Sequence, residues 1–116
     1  MYKNHLIGQN GEQWAVDFLT SKGYTILEKN FRYKKAEIDI IARKGKLIIF
    51  VEVKTRTSLA FGEPEEAVSK NKIRLILAGA EVYVKQIGWF QDIRFDIIAI
   101  HSQSQPQILH IEDAFY

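Results

Sequence analysis

The sequence predicts a layered α/β (or α+β) fold in which helices pack on a mixed central β-sheet. Three observations carry this. Apolar positions recur at helical spacing in two stretches, residues 5–21 and about 64–85. Five shorter segments are rich in Ile, Val, Phe and Tyr, as strands are. The resulting order, helix, three strands, helix, two strands, inserts a helical crossover before the fourth strand, which can then pair in parallel with an earlier one. The chain has 116 residues, 47% hydrophobic and 26% charged. That fits one domain over residues 1–116 with a single core, and it excludes disorder.

The first helix rests on Leu6, Ala15, Phe18 and Leu19, with Trp14 at the edge of the stripe and Gly23 as its stop. A strand over residues 24–32 follows. The next, residues 37–43, reads Glu-Ile-Asp-Ile-Ile-Ala-Arg, and residues 47–54 read Leu-Ile-Ile-Phe-Val-Glu-Val-Lys. The run 47–51 is apolar on both parities, as in a strand covered on both faces. Lys44-Gly45 is a turn signal between them, so the two form a hairpin. Pro64 with Glu65 and Glu66 suits a helix start, and Val68, Ile73, Ile76, Leu77, Ala80 and Val84 carry that helix to about Lys85, with a break near Ser69 as an alternative. Strands over 93–100 and 107–111 complete the order.

Sixteen basic and fourteen acidic residues give a net charge of +2, but unevenly. Residues 30–56 hold eight basic side chains against three acidic ones, net +5, as on a surface that meets phosphate. There is no cysteine, which excludes disulfides, zinc–thiolate sites and thiol catalysis. No apolar run is long enough to span a bilayer and the start does not read as a secretory signal, so no membrane partner and a cytoplasmic location are expected.

A hairpin centred between Lys44 and Gly45 sets Asp39 opposite Phe50 and Glu37 opposite Glu52. Glu37, Asp39, Glu52 and Lys54 then project from one face, with Asp39 and Glu52 as diagonal neighbours. Two carboxylates at that separation can share Mg²⁺, which takes one or two carboxylates plus waters and phosphate oxygens. Lys54, two residues beyond Glu52, can hold a water or neutralise a phosphorane. The chemistry this points to is metal-assisted hydrolysis of a phosphodiester. Glu-x-Lys on a strand is often only a solvent-facing ion pair. Here it ends a nearly wholly apolar strand, where charge is costly unless it is paired or holds a metal.

Asp39, twelve residues, then Glu52-Val53-Lys54 resembles the core of the PD-(D/E)XK nuclease superfamily, the restriction-endonuclease-like fold. Over almost the whole chain the sequence is similar to the YraN family of small, largely uncharacterised bacterial proteins, themselves similar to Holliday junction resolvases. The similarity runs through Gly11-Glu12, Gly23-Tyr24, Asn30, Glu37 to Ala42, Phe50 to Arg56, Phe61-Gly62, Pro64, Glu66 to Val68, Lys72, Arg94 to Asp96 and Ala114-Phe115. It implies a nuclease dependent on Mg²⁺ or Mn²⁺ and acting on DNA, branched DNA included. Asp39 and Glu52 would be metal ligands, Lys54 the catalytic lysine, and Glu12 an additional ligand or acceptor for a metal-held water. It also raises a homodimer, since a four-way junction offers two symmetric strands. The family usually has Gly where this chain has Ala36, a departure that matters only if φ there is positive. Two alternatives remain: a nucleic-acid-binding module with weak or no catalysis, and a partner-binding protein whose carboxylates only stabilise the sheet.

Around this core, Arg32, Lys34 and Lys35 are candidate nucleic-acid contacts. Thr55 and Arg56 read equally as phosphate contacts or as an exposed strand end. Lys72 reads more as a solvated helix lysine, although it could reach a scissile phosphate. Glu37 is expected at the strand edge in water, and Arg94 with Asp96 as a structural ion pair beside the site. His5, His101 and His110 lack metal-ligand spacing and read as surface or packing residues. Trp14, Trp89 and Phe90 read as core rather than as platforms for bases.

Overall fold

The computed structural model describes residues 3–56, 68–101, 105 and 107–115, with side chains from residue 11 onward. The elements are α1 (Lys3–Ser21), β1 (Thr25–Tyr33), β2 (Ala36–Lys44), β3 (Leu47–Arg56), α2 (Lys70–Ile87), β4 (Asp92–His101) and β5 (Gln107–Ile111). The strands form one sheet in the order β1-β2-β3-β4-β5. Only β3 and β4 run parallel, joined through α2, and the other pairs are antiparallel. This is the expected α/β architecture, a mixed sheet flanked by helices, consistent with a restriction-endonuclease-like arrangement.

Two apolar clusters lie on opposite faces of the sheet. Ala15 and Leu19 of α1 cover Ile40, Ala42, Ile49, Val51, Ile98 and Ile100. Ile76, Ala80 and Tyr83 of α2 cover Ile38, Ile41, Ile48, Phe50 and Phe95. Neighbouring residues of β3 therefore go to different helices, which is why its run is apolar on both parities. Gly23, at φ 93, ends α1, and the Tyr24 N–H donates to Leu19 O at 3.0 Å. Ser69 starts α2: its Oγ accepts the Lys72 N–H at 3.1 Å. Gly88 ends the helix in the left-handed region at φ 68. Helix α2 thus begins at the alternative break, and the expected start at Pro64 lies outside the described residues. So do Phe61, Gly62 and Glu66 of the family resemblance.

The β2–β3 register departs from the expected one by two residues. Lys44 pairs with Leu47 and Ile41 with Phe50, so the two-residue turn is Gly45–Lys46 rather than one centred before Gly45. Gly45, at φ 61, supplies the positive φ that the first central position of a type II′ hairpin requires. A shift of two preserves the faces, whereas a shift of one would have reversed them.

Candidate functional site: a carboxylate fork at the end of β2 and β3

The β2–β3 ladder runs from Lys44↔Leu47 to Ile40↔Val51. At the next rung, where Asp39 would face Glu52, a side chain takes over from the backbone. Asp39 Oδ2 accepts the Val53 N–H at 2.8 Å. The carboxylate thus sits in the fork between the strands, close to the plane of the sheet.

A slip in alternation brings it there. Ile38 packs in the α2 cluster and Ile40 in the α1 cluster, although residues two apart normally share a face. The partner strand carries the matching irregularity. The pairs Lys29↔Ile40 and Phe31↔Ile38 bracket Asn30, which has φ 55. Asn is among the few non-glycine residues that tolerate this region. The sequence reading passed over Asn30 as a positioning residue; an Asn inside a β-branched and aromatic strand was the available signal. Strict alternation, assumed for Glu37 and Asp39, therefore fails at Asp39. Glu37 lies at the strand edge, 3.4 Å from exposed Arg32.

Glu52 continues the apolar strand and is only 4% exposed. Its Oε2 lies 3.3 Å from Lys54 Nζ and 3.1 Å from Lys72 Nζ. Its Oε1 is buried with no hydrogen-bond partner. Lys72 is thus not the purely solvated helix lysine expected, because the crossover carries the first turn of α2 over the end of β3. Burial opposes the Lys72 charge, but the Glu52 charge and hydrogen bond outweigh it and raise its pKa. Burial, reinforced by the Glu52 charge, pushes the Asp39 carboxyl up to about 7; the Val53 N–H and Lys72 oppose this, and Glu12 adds to it.

Glu12 approaches from α1, where it lines a shallow cavity of about 120 Å³ with Gln13, Val16, Lys29 and Asn30. It acts on Asp39 through its charge. Among the described residues no three His, Cys, Asp or Glu side chains converge as a metal cluster, so Glu12 does not join Asp39 and Glu52 in a three-carboxylate set. Two carboxylates suffice for a cation that keeps several waters. The donors fit such a cation: both are oxygen ligands, one oxygen is buried without a partner, and burial beside like charge disfavours ionisation of Asp39.

Thr55 is pressed against α1: a Cβ on Gly11 would collide with its Oγ1, so Gly11 is what lets the helix approach the strand here. Arg56 is half-buried and donates to Thr55 O at 3.2 Å. Lys34 and Lys35 are exposed in the β1–β2 turn, and Lys34 lies over the Tyr33 ring. The positive φ in this turn falls on Lys34, at 55, and not on Ala36, so Ala in place of the family's Gly is accommodated.

Two expectations need correction. Arg94 and Asp96 do pair, at 2.8 Å, but their parity on β4 is that of Ile98 and Ile100, on the α1 face, whereas Glu52 meets α2 on the other. His110 is no bystander: its Nε2 lies 2.7 Å from Asp96 Oδ2. Residue type and spacing gave no sign of that contact, which depends on β5 returning antiparallel to β4. Among the described residues no helix is long and apolar enough to cross a membrane.

The model of the uncharacterised protein family UPF0102 matches residues 11–100. A UPF0102 protein of Flavobacterium psychrophilum is 45% identical over 100% of this chain and 98% of its own length. One of Dictyoglomus turgidum is 48% identical over 94% of this chain and 93% of its own. One of Thermodesulfovibrio yellowstonii is 44% identical over 95% and 96%. The chain belongs to family UPF0102, the YraN-like family.

Proposed function

We propose that this protein is a metal-dependent nuclease, hydrolysing phosphodiester bonds of DNA at the Asp39–Glu52 fork. The observation that carries the reading is the Glu52 carboxylate, 4% exposed, with Oε1 unpartnered and Asp39 beside it. A buried carboxylate oxygen without a donor is costly, and a cation removes that cost.

Asp39 and Glu52 would hold Mg²⁺ or Mn²⁺. Such an ion, when bound, supplies positive charge to a phosphodiester and lowers the pKa of a coordinated water. Asp39 is oriented by the Val53 N–H, so its free oxygen is presented without rearrangement. Lys54 Nζ, on the same strand end, would hold the water or hydroxide that adds to phosphorus and place its charge beside the phosphate as the P–O bond to the leaving oxygen breaks. Lys72 brings a second charge from α2 for the phosphate oxygens. Arg32, Lys34 and Lys35 lie at the same end of β2 as Asp39, where they would meet the flanking backbone.

The test is cleavage of branched and flapped DNA with Mg²⁺ or Mn²⁺ by the wild type, Asp39→Asn and Lys54→Ala. Metal-dependent cleavage should fall at least about a hundredfold in each variant. Cleavage that both changes leave intact would overturn the assignment. A second reading, a nucleic-acid-binding module without catalysis, draws on the two lysines that neutralise Glu52 without a cation. It predicts salt-sensitive binding that survives Asp39→Asn, with no cleavage by the wild type.

A further inference from the structure

The cationic stretch of the sequence divides between the two ends of the sheet. Arg32, Lys34 and Lys35 lie at the fork end, while Arg43, Lys44 and Lys46 surround the β2–β3 turn at the other. The α2–β4 connection is tied to that second turn: the Asp92 N–H donates to Lys46 O at 3.2 Å, and Ile93 pairs with Ile48. From this connection Phe90 projects with 93% of its surface exposed, contrary to the core position expected for it.

Its neighbours are fixed. Gly88 turns the chain in the left-handed region, and the Trp89 N–H donates to Val84 O at 2.9 Å. Trp89 Nε1 donates to Asp92 O at 3.0 Å, and the Arg43 guanidinium lies 4.8 Å above the Trp89 ring. Ile87 and Ile93, three residues to either side of Phe90 in the chain, are half-exposed, and Lys46, whose carbonyl holds Asp92, is exposed. Lys44 is held back, its Nζ donating to Lys22 O at 2.8 Å, which adds Lys22 to the same end. The one acid in the joined turns, Asp92, leaves the patch strongly positive.

We propose that Phe90 and the Arg43–Lys46 turn form a second nucleic-acid contact, remote from the fork, which takes an unpaired segment of the substrate. A ring offered edge-free to solvent stacks on a base only where that base is not already paired, and every base has a face to stack. The surrounding cations track the phosphates on either side. Helix α2 separates Lys72 from Gly88 by about 24 Å at 1.5 Å per residue. That distance corresponds to about seven nucleotides at the ~3.4 Å spacing of a stacked strand, and to fewer where the unpaired strand is extended. The charge argues against a second copy of this chain as the occupant. Self-association around a two-fold axis would set Arg43, Lys44 and Lys46 against their own counterparts, and like-charge juxtaposition is costly. The proposal rests on the nuclease reading only for the kind of ligand, not for catalysis.

The test is fluorescence anisotropy of the full chain with labelled single-stranded oligonucleotides, in EDTA so that hydrolysis plays no part. Phe90→Ala should weaken binding about tenfold and Phe90→Trp should restore it. Lys46→Ala should lower the slope of log affinity against log salt by about 0.7. Binding of long single strands unchanged by Phe90→Ala overturns the proposal. So does a Phe90→Ala effect confined to sedimentation, where a dimer becomes a monomer, because the ring would then serve self-association. Loss of nuclease activity in every assay, with the Phe90 effect on binding intact, would instead overturn catalysis at the fork and leave this contact standing.

Discussion

Asp96 and Glu52 are both carboxylates buried within one sheet, on adjacent strands, and they are treated in opposite ways. Asp96 is fully buried and receives Arg94 Nε at 2.9 Å, Arg94 Nη2 at 2.8 Å and the Asp113 N–H at 3.1 Å, with His110 Nε2 at 2.7 Å. Burial alone would raise its pKa, but His110, Arg94 and the Asp113 N–H outweigh that and hold it below the ordinary carboxylate value. Arg94 is anchored in turn by the Tyr24 hydroxyl at 3.0 Å. Glu52 has two lysines on one oxygen and nothing on the other, and Asp39 beside it is pushed up to about 7. A fully satisfied acid stabilises one arrangement, as the Asp96 network does. Glu52, left partly unsatisfied beside Asp39, is where the proposed cation would complete what the protein does not.

The comparison breaks most easily through stability. Asp96→Asn removes a fully buried charge from part-buried Arg94 and from His110 and should cost about 3–5 kcal/mol, read as a large fall in denaturation midpoint. Glu52→Gln should cost less, because Lys72 is partly exposed and can turn to water, and the change removes the like charge beside Asp39. Equal losses at the two positions would show that Glu52 is as structural as Asp96.

Stability against pH sharpens the contrast, because Asp39 at the fork and Asp96 have opposite signs. Asp39 has a raised pKa in the folded state, so between its ordinary value of 3.8 and about 7 the folded chain binds the extra proton. Stability from this group therefore falls as pH rises through that window, by up to about 1.4 kcal/mol per pH unit. The Asp96 contribution is present above its ordinary value of 3.8 and is lost as pH falls through its lower folded value. Denaturation followed from pH 4 to 8 should flatten in Asp39→Asn, and an unchanged slope would refute the raised value.

An effect smaller than that of Asp96→Asn lies in the strand opposite Asp39. Asn30→Val should destabilise by about 1–2 kcal/mol, since a β-branched residue resists φ 55, whereas Asn30→Gly should be close to neutral. A like cost for both would mean that the Asn30 side chain, rather than its backbone, holds the fork.

Much of this was legible in the sequence because the relevant signals are local. The two-faced apolar run of β3, the Gly45 turn and the alternation of Glu52 with Lys54 follow from periodicity and turn chemistry. The register was misjudged by two residues because Lys44-Gly45-Lys46 offers two turn centres of the same parity, and only the sheet selects between them. The slip at Asp39 is a paired event across two strands, and Asn30 on the partner strand is its one local sign. Lys72 reaches Glu52 through a crossover, and His110 reaches Asp96 through a strand return, so both depend on distant pairings that spacing along the chain does not encode. Phe90 illustrates the reverse case: composition places an aromatic inside, and a left-handed glycine cap turns it out.

The central claim is that the fork holds a divalent cation, and thermal denaturation against Mn²⁺ tests it most directly. The wild type should gain melting temperature with increasing Mn²⁺, by about 2.7 kcal/mol of stability at a hundredfold excess over the dissociation constant. Asp39→Asn and Glu52→Gln should each lose that gain while remaining folded. A wild type indifferent to Mn²⁺ and Mg²⁺, or variants that gain as much as it does, would contradict the account.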